Sequence, residues 1–165
     1  MKLRKYKKED AQIIINWIKD EEEFYRWSAD RFNRYPITGK DLDEHYALYM
    51  KSNRFMPLVM TNDTDDLIGQ FIIRYPKEDD DSRIRFGFVL IDPQHRGKGY
   101  GKKMLELGIE YAKEKLDASV IELGVFENNK NAINCYKSLG FKEFNRRQTV
   151  LPIGTWECID MKLNI

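Results

Sequence analysis

The chain has 165 residues, of which 42% are apolar and 33% charged. That length is near one domain and buries roughly two-thirds of the surface its unfolded form exposes, and that balance excludes a disordered tail. Its 28 basic and 27 acidic side chains nearly cancel, which excludes the overall positive field that draws a protein onto nucleic acid or an anionic membrane.

The expectation is a single domain over residues 1–165 with one core, and with neither nucleic acid nor membrane among its partners. A homodimer is left open. The opening run Met1-Lys2-Leu3-Arg4-Lys5-Tyr6 alternates charged and apolar residues and lacks the apolar stretch of a signal peptide. No later segment approaches a membrane span, so the cytoplasm is the expected compartment. Cys135 and Cys158 are too few and too isolated for a disulfide framework, and neither has a Cys or His at metal-ligand spacing. Both read as reduced, structural thiols, and no metal is expected.

In chain order, the initial alternation reads as a strand. Ile14, Trp17 and Ile18 then mark a short first helix. Thr38 with Asp41 forms a variant capping box ahead of Leu42, Tyr46, Tyr49 and Met50, a second helix. Between these two helices lies the aromatic-rich segment of residues 24–35, read as a connecting loop. Strands follow at residues 55–61 and 67–75, joined by Asn62-Asp63-Thr64-Asp65-Asp66, which is hairpin turn chemistry. After a second acidic cluster, residues 83–91 begin by alternating and become continuously apolar, as a central strand does.

A third helix opens at Gly99 and carries Tyr100, Met104, Gly108 and Ala112 at four-residue spacing. Residues 119–126 form another strand and residues 129–139 another helix, stopped by Gly140. Two strands, at 141–150 and 155–163, complete the order. This succession predicts an α/β fold: a mixed, mostly antiparallel central sheet of six to seven strands with helices on both faces. The strand, helix, strand unit from Phe86 to Phe126 favours a right-handed parallel crossover.

Arg96-Gly97-Lys98-Gly99-Tyr100-Gly101 follows a buried strand directly and opens an amphipathic helix, where backbone amides lack intrahelical partners. Gly97 and Gly99 remove side chains that would keep a pyrophosphate from those amides, while Arg96, Lys98 and Lys102 add positive charge beside the helix dipole. Taken alone, the motif is equally compatible with a glycine-rich loop carrying a solvated basic face. A P-loop would require Ser or Thr after Gly-Lys, and here Gly97-Lys98 is followed by Gly99. A dinucleotide fingerprint belongs on the first strand, and this turn lies past the middle of the chain.

Arg96, Gly99 and Gly101 match the signature of the GNAT N-acetyltransferases: Gln or Arg, two variable positions, Gly, one variable position, then Gly or Ala. The approach Val89-Leu90-Ile91-Asp92-Pro93 resembles that family's fourth strand. The block from Asn129 to Phe141 is similar to its region after the fifth strand. The resemblance covers essentially the whole chain, most strongly residues 86–144, and implies a GNAT-like fold holding acetyl-coenzyme A where the fourth and fifth strands splay apart. Val89, Leu90 and Ile91 would pair with the pantetheine arm, Arg96 to Lys102 would cradle the pyrophosphate, and Asn129 would hydrogen-bond the arm or cap its helix. Gly87 is consistent with a nearby bulge.

The implied reaction is acetyl transfer to a primary amine of a small molecule or peptide. From its own spacing with Ala132 and Ile133, Tyr136 reads as a core aromatic; the resemblance reverses this, since it matches the family's acid, a phenol that protonates the departing thiolate. A backbone N–H near Leu90 or Ile91 is the expected oxyanion donor. The base departs from the pattern: Arg85 and Gly124 stand where many relatives carry Glu. Glu127, with His95 behind it, or a relayed water, is the substitute. Trp27 and Tyr35, in the aromatic segment and aided by Asp30, would hold the acceptor's apolar or cationic part, or else form a satellite hydrophobic cluster.

The missing glutamates also raise a second reading, a non-catalytic acyl-coenzyme A sensor. A third, nucleic-acid binding through Arg146 and Arg147, is countered by the interleaved acids.

Overall fold

A computed structural model describes residues 1–165. Its strands are β1 (Lys2–Lys5), β2 (Phe55–Thr61), β3 (Leu67–Arg74), β4 (Arg83–Ile91), β5 (Val120–Phe126), β6 (Lys142–Leu151) and β7 (Gly154–Asn164). Its helices are α1 (Asp10–Asn16), α2 (Glu21–Ser28), α3 (Gly39–Met50), α4 (Tyr100–Leu116) and α5 (Lys130–Ser138). All seven strands share one sheet in the order β1-β2-β3-β4-β5-β7-β6. Only β4 and β5 run parallel, joined by α4 as the crossover length requires.

Two apolar clusters lie on the two faces. One collects α4 and α5 residues, Met104, Leu105, Ile133 and Tyr136, over Phe71, Phe86 and Leu123. The other collects Ile14, Phe24, Trp27, Leu42 and Tyr46 of α1 to α3 over Val59, Ile72 and Phe88. Helix α4 approaches the sheet closely because Gly108 carries no side chain: a Cβ there would lie 2.9 Å from Phe71 Cζ.

The sequence reading of two helices before β2 is corrected to three. Residues 24–35 are not wholly a loop, since α2 occupies Glu21–Ser28. The signals for it were present: Asp20 accepts from the Glu23 N–H at 2.8 Å as an N-cap, three glutamates occupy the positive end of the dipole, and Phe24, Tyr25, Trp27 and Ser28 share a buried stripe. Helix α3 starts as expected, with Thr38 and Asp41 bonding each other's backbone N–H groups. Gly140 ends α5 at φ 93°, with the Phe141 N–H returning to the Tyr136 carbonyl at 3.1 Å.

Candidate active site

The site begins with a fault in β4. Ile72 of β3 pairs with Gly87 and Gln70 with Leu90, so β4 carries one residue more than β3 over that stretch, and Phe88 takes φ 51°. The bulge reverses the strand's faces: Ile84 and Phe86 point to the α4 side, Phe88 and Leu90 to the α1–α3 side. It also removes the Phe88 carbonyl from the ladder. That oxygen accepts from Trp27 Nε1 at 3.0 Å and from Gln70 Nε2, while Gln70 Oε1 accepts from Tyr46 Oη at 3.0 Å. Side chains from α2, α3 and β3 thus hold an otherwise costly conformation.

Beyond the bulge, β4 and β5 part. Their parallel pairing ends at Phe86 with Leu123, and residues 87–91 keep only β3 as a ladder partner. The opening between the strands leaves the β5-facing backbone edge of residues 87–91 without a strand partner, as pairing with an extended ligand requires.

The cradle lies just past this opening. Asp92 accepts from the Gln94 N–H at 3.0 Å and contacts His95 Nδ1 at 2.9 Å, fixing a short 3-10 turn at Pro93–His95. Gly97 and Gly99 follow at φ 73° and 81°, with nothing within 4 Å of where a Cβ would stand. Backbone N–H groups from Gly97 to Lys102 donate to no other protein group, and the first bonded amide is Lys103, to the Gly99 carbonyl at 3.0 Å. Lys98 and Lys102 are exposed beside them. Open space, unpaired amides, a helix N-terminus and flanking lysines are what a pyrophosphate requires, so these residues fit acetyl-coenzyme A. Arg96 contributes differently from expectation. Its Nε donates to the Ile91 carbonyl at 2.9 Å and its Nη1 pairs with Glu23, so its charge is offset and it braces the loop against α2.

On the α2–α3 face a cleft of about 620 Å³ opens over the sheet. Its floor includes Ile72, Arg74, Arg85, Gly87, Gly124 and Cys158, and its walls include Trp27, Asp30, His45 and Tyr49. His45 is the imidazole the sequence reading did not single out. It stands on α3 with its ring 6.0 Å from Phe88 and 4.8 Å from Tyr49, and burial, followed by the charge of Arg31, lowers its pKa below the ordinary value. Neutral His45 can accept a proton. No sequence pattern could have marked it, because α3 is far from the cradle along the chain.

The remaining assignments separate. Trp27 lines the cleft but is 7% exposed, and its N–H is committed to Phe88. Tyr35 packs on Phe24 with centroids 5.3 Å apart and is absent from the cleft lining, so the aromatic segment is mainly part of the apolar core on the α1–α3 face rather than a satellite of it. Glu127 is exposed, meets Arg146 at 3.3 Å, and lies beside Ile133 and Met161 on the other side of the sheet. It does not face the cleft. His95 stacks on Tyr100 at 5.6 Å in the turn, also away from the cleft. Asn129 caps α5, accepting from the Ala132 N–H at 3.4 Å.

Tyr136 is buried in the α4–α5 cluster, 6.1 Å from Phe141 between ring centroids. Its hydroxyl has no protein partner, yet it is not among the sealed polar atoms. Burial raises its phenol well above the ordinary value, with Cys135 adding to the effect. It therefore stays protonated at neutral pH and is a standing hydrogen-bond donor. Full transfer of its proton to a thiolate whose acid ionises near ~8.5 would run uphill.

Residues 15–141 match the acetyltransferase (GNAT) family. Among curated relatives, the chain is 39% identical over 74 residues to the spermine/spermidine N(1)-acetyltransferase of Bacillus subtilis, covering 43% of this chain and 48% of that one. It is 27% identical over 145 residues to the mycothiol acetyltransferase of Rhodococcus jostii, covering 83% and 47%. The chain thus spans about half the length of the curated relatives it matches. Among solved structures, the spermidine N-acetyltransferase of Vibrio cholerae in complex with CoA and spermine superposes with a TM-score of 0.81 at 20% identity, covering 98% of this chain and 94% of that one. At that identity the likeness establishes the fold.

Proposed function

This chain belongs to the acetyltransferase (GNAT) family, and from that premise we propose that it transfers an acetyl group from acetyl-coenzyme A to the primary amine of a small molecule or peptide. The observation that carries the reading is the run of unpaired amides from Gly97 to Lys102, in open space, next to the strand opening at residues 87–91. The first suits the pyrophosphate and the second the pantetheine arm, which would reach the carbonyl end to the bulge.

In the transfer, the amine nitrogen forms the new bond to the thioester carbon, the carbon–sulfur bond breaks, and the sulfur leaves with the electron pair as a thiolate that takes its proton from solvent. The products are an N-acetylated amine and the free thiol. A backbone N–H at Leu90 or Ile91 would stabilise the oxyanion, and the Tyr136 hydroxyl would donate a hydrogen bond to the departing sulfur. The proton lost by the amine would pass to His45, directly or through water, because His45 is the cleft side chain that is neutral near pH 7 and basic enough to take it. This replaces Glu127, which lies outside the cleft.

Two relatives are named for spermidine or spermine, so polyamines belong in the acceptor panel with amino acids, aminoglycosides and peptide N-termini. The test is release of free thiol from acetyl-coenzyme A in the presence of each amine, alongside calorimetry of acetyl-coenzyme A itself. Tight cofactor binding with no transfer to any acceptor would favour the sensor reading, which the absence of a carboxylate at Arg85 and Gly124 raises.

A further inference from the structure

Six arginines line the cleft, and of these Arg26, Arg31 and Arg54 each have a carboxylate of their own, Glu22, Asp30 and Asp81. The other three, Arg74, Arg85 and Arg147, have only two carboxylates near them, and Arg83 shares one of those. Asp160 is shared between Arg85 at 2.7 Å and Arg147 at 3.1 Å, and Glu122 between Arg83 and Arg85. Arg74 makes no ion pair and no side-chain hydrogen bond, although it is partly buried. Burial, then the charges of Arg85 and Arg31, pulls its guanidinium down to about 10, which still leaves it protonated at neutral pH. The floor therefore carries uncompensated positive charge in a partly desolvated place, where a missing anion is felt strongly.

Gly124 shows that this is a built arrangement. A Cβ on Gly124 would stand 2.7 Å from Arg85 Nη2 and 3.3 Å from Arg147 Nη2. The glycine thus makes the room in which two guanidiniums from β4 and β6 converge over β5. Asp160 holds them from behind, and each guanidinium has five N–H donors, more than Asp160 can accept, so donors remain for a ligand in the cleft. The cluster is distinct from the cradle: Arg74 and Arg85 precede the bulge, whereas the pyrophosphate amides follow it.

Resting on the transferase reading above, we propose that the acceptor amine also carries an anionic group, carboxylate or phosphate, which docks on Arg74, Arg85 and Arg147. A polycation would meet like charge on this floor, so the polyamines named for two relatives are expected to be poor acceptors here. An amine tethered to an anion would be held with its nitrogen directed toward the bulge and the thioester, since the floor runs from Arg74 and Arg85 to Gly87 and Phe88.

The test follows thiol release from acetyl-coenzyme A with matched acceptors: glycine and a dipeptide as carboxylates, phosphoethanolamine as a phosphate, glycinamide and ethanolamine as uncharged counterparts, and spermidine. One anionic class should exceed its uncharged counterpart by about tenfold or more in kcat/KM, and the leading class identifies the anion. Arg74→Gln should raise the KM for that acceptor by about tenfold or more while acetyl-coenzyme A binds as before, and Arg74→Lys should retain most of the preference. Arg147→Gln, at a half-exposed side chain, should act in the same direction.

A readout without turnover is the titration of inorganic phosphate into protein saturated with coenzyme A, expected to weaken by about tenfold or more in Arg74→Gln. Equal phosphate binding in both proteins would overturn the proposal. So would spermidine or the uncharged amines serving as well as the anionic ones, an outcome that leaves the transferase reading standing. Conversely, Arg74-dependent phosphate binding in a protein that binds coenzyme A but passes acetyl to no amine would remove the transferase reading and keep the anion site.

Discussion

At Gly99 the backbone has φ 81° and faces open space. A branched residue there suffers twice: it resists the left-handed conformation, and its side chain fills the approach to the amides. Gly99→Val is expected to weaken acetyl-coenzyme A binding by about tenfold, ~1.4 kcal/mol. Calorimetry on a folded variant checks this, and unchanged affinity would remove the cradle. His45 sets a second expectation at this scale. Its pKa is lowered by burial and by Arg31, with Tyr46 and Tyr49 the other titratable neighbours. If the neutral ring accepts the proton, kcat/KM rises with pH through a value below ~6.5 and then levels. His45→Gln should abolish that rise and lower kcat. A variant with the same pH profile would return the role to a water relay.

Among the elements, α5 carries Tyr136 on its buried stripe, so packing and chemistry are superimposed on one side chain. The phenylalanine ring fills the same space, and Tyr136→Phe therefore separates them. Expected are an unchanged acetyl-coenzyme A affinity, near-native thermal stability and a lower kcat. An unaltered kcat would make Tyr136 a core residue only. Helix α4 offers a packing test. Because a Cβ on Gly108 already meets Phe71 and Phe86 at 2.9 and 3.3 Å, Gly108→Leu should overpack the helix–sheet contact and cost about 1–3 kcal/mol in denaturant unfolding. No loss of stability would mean that α4 can move off the sheet without penalty.

Across the whole molecule, Asp160 links β7 to β4 and β6. Burial by itself would raise its carboxyl, but hydrogen bonds from Arg85, Arg147 and Asn145 outweigh that and hold it below the usual range. A carboxylate depressed in the folded state contributes stability that is complete above its unfolded pKa of ~3.9 and is lost as pH falls through the lower folded value. Asp160→Asn strands two guanidiniums, so it should cost about 3 kcal/mol at pH 7, with the gap from the parent closing below pH ~4. Unfolding curves at both pH values test this; a gap independent of pH would show that the ionised form does not matter. The same substitution raises the positive charge of the floor, so it should tighten phosphate binding if the fold holds.

The sequence by itself determined what depends on neighbours along the chain. The capping box at Thr38, the stop at Gly140, the turn between β2 and β3 and the glycine run from Gly97 to Gly101 are local devices, and each is where the residues placed it. The continuously apolar second half of β4 likewise announced a central strand, because such a run suits a strand covered on both faces. Tertiary structure decided what depends on distant partners. Trp27 read as an acceptor wall, and it does line the cleft, but its indole N–H is committed to the carbonyl that the bulge frees at Phe88. Glu127 read as a base, yet the pairing of β5 with β7 puts it on the far side of the sheet. His45, Arg74, Arg85 and Arg147 were scattered over residues 45–147 with no spacing to connect them. They meet because parallel β4 and β5 diverge beyond Phe86 and Gly124 leaves the gap for the arginines, and the charge of the cleft is fixed by that convergence.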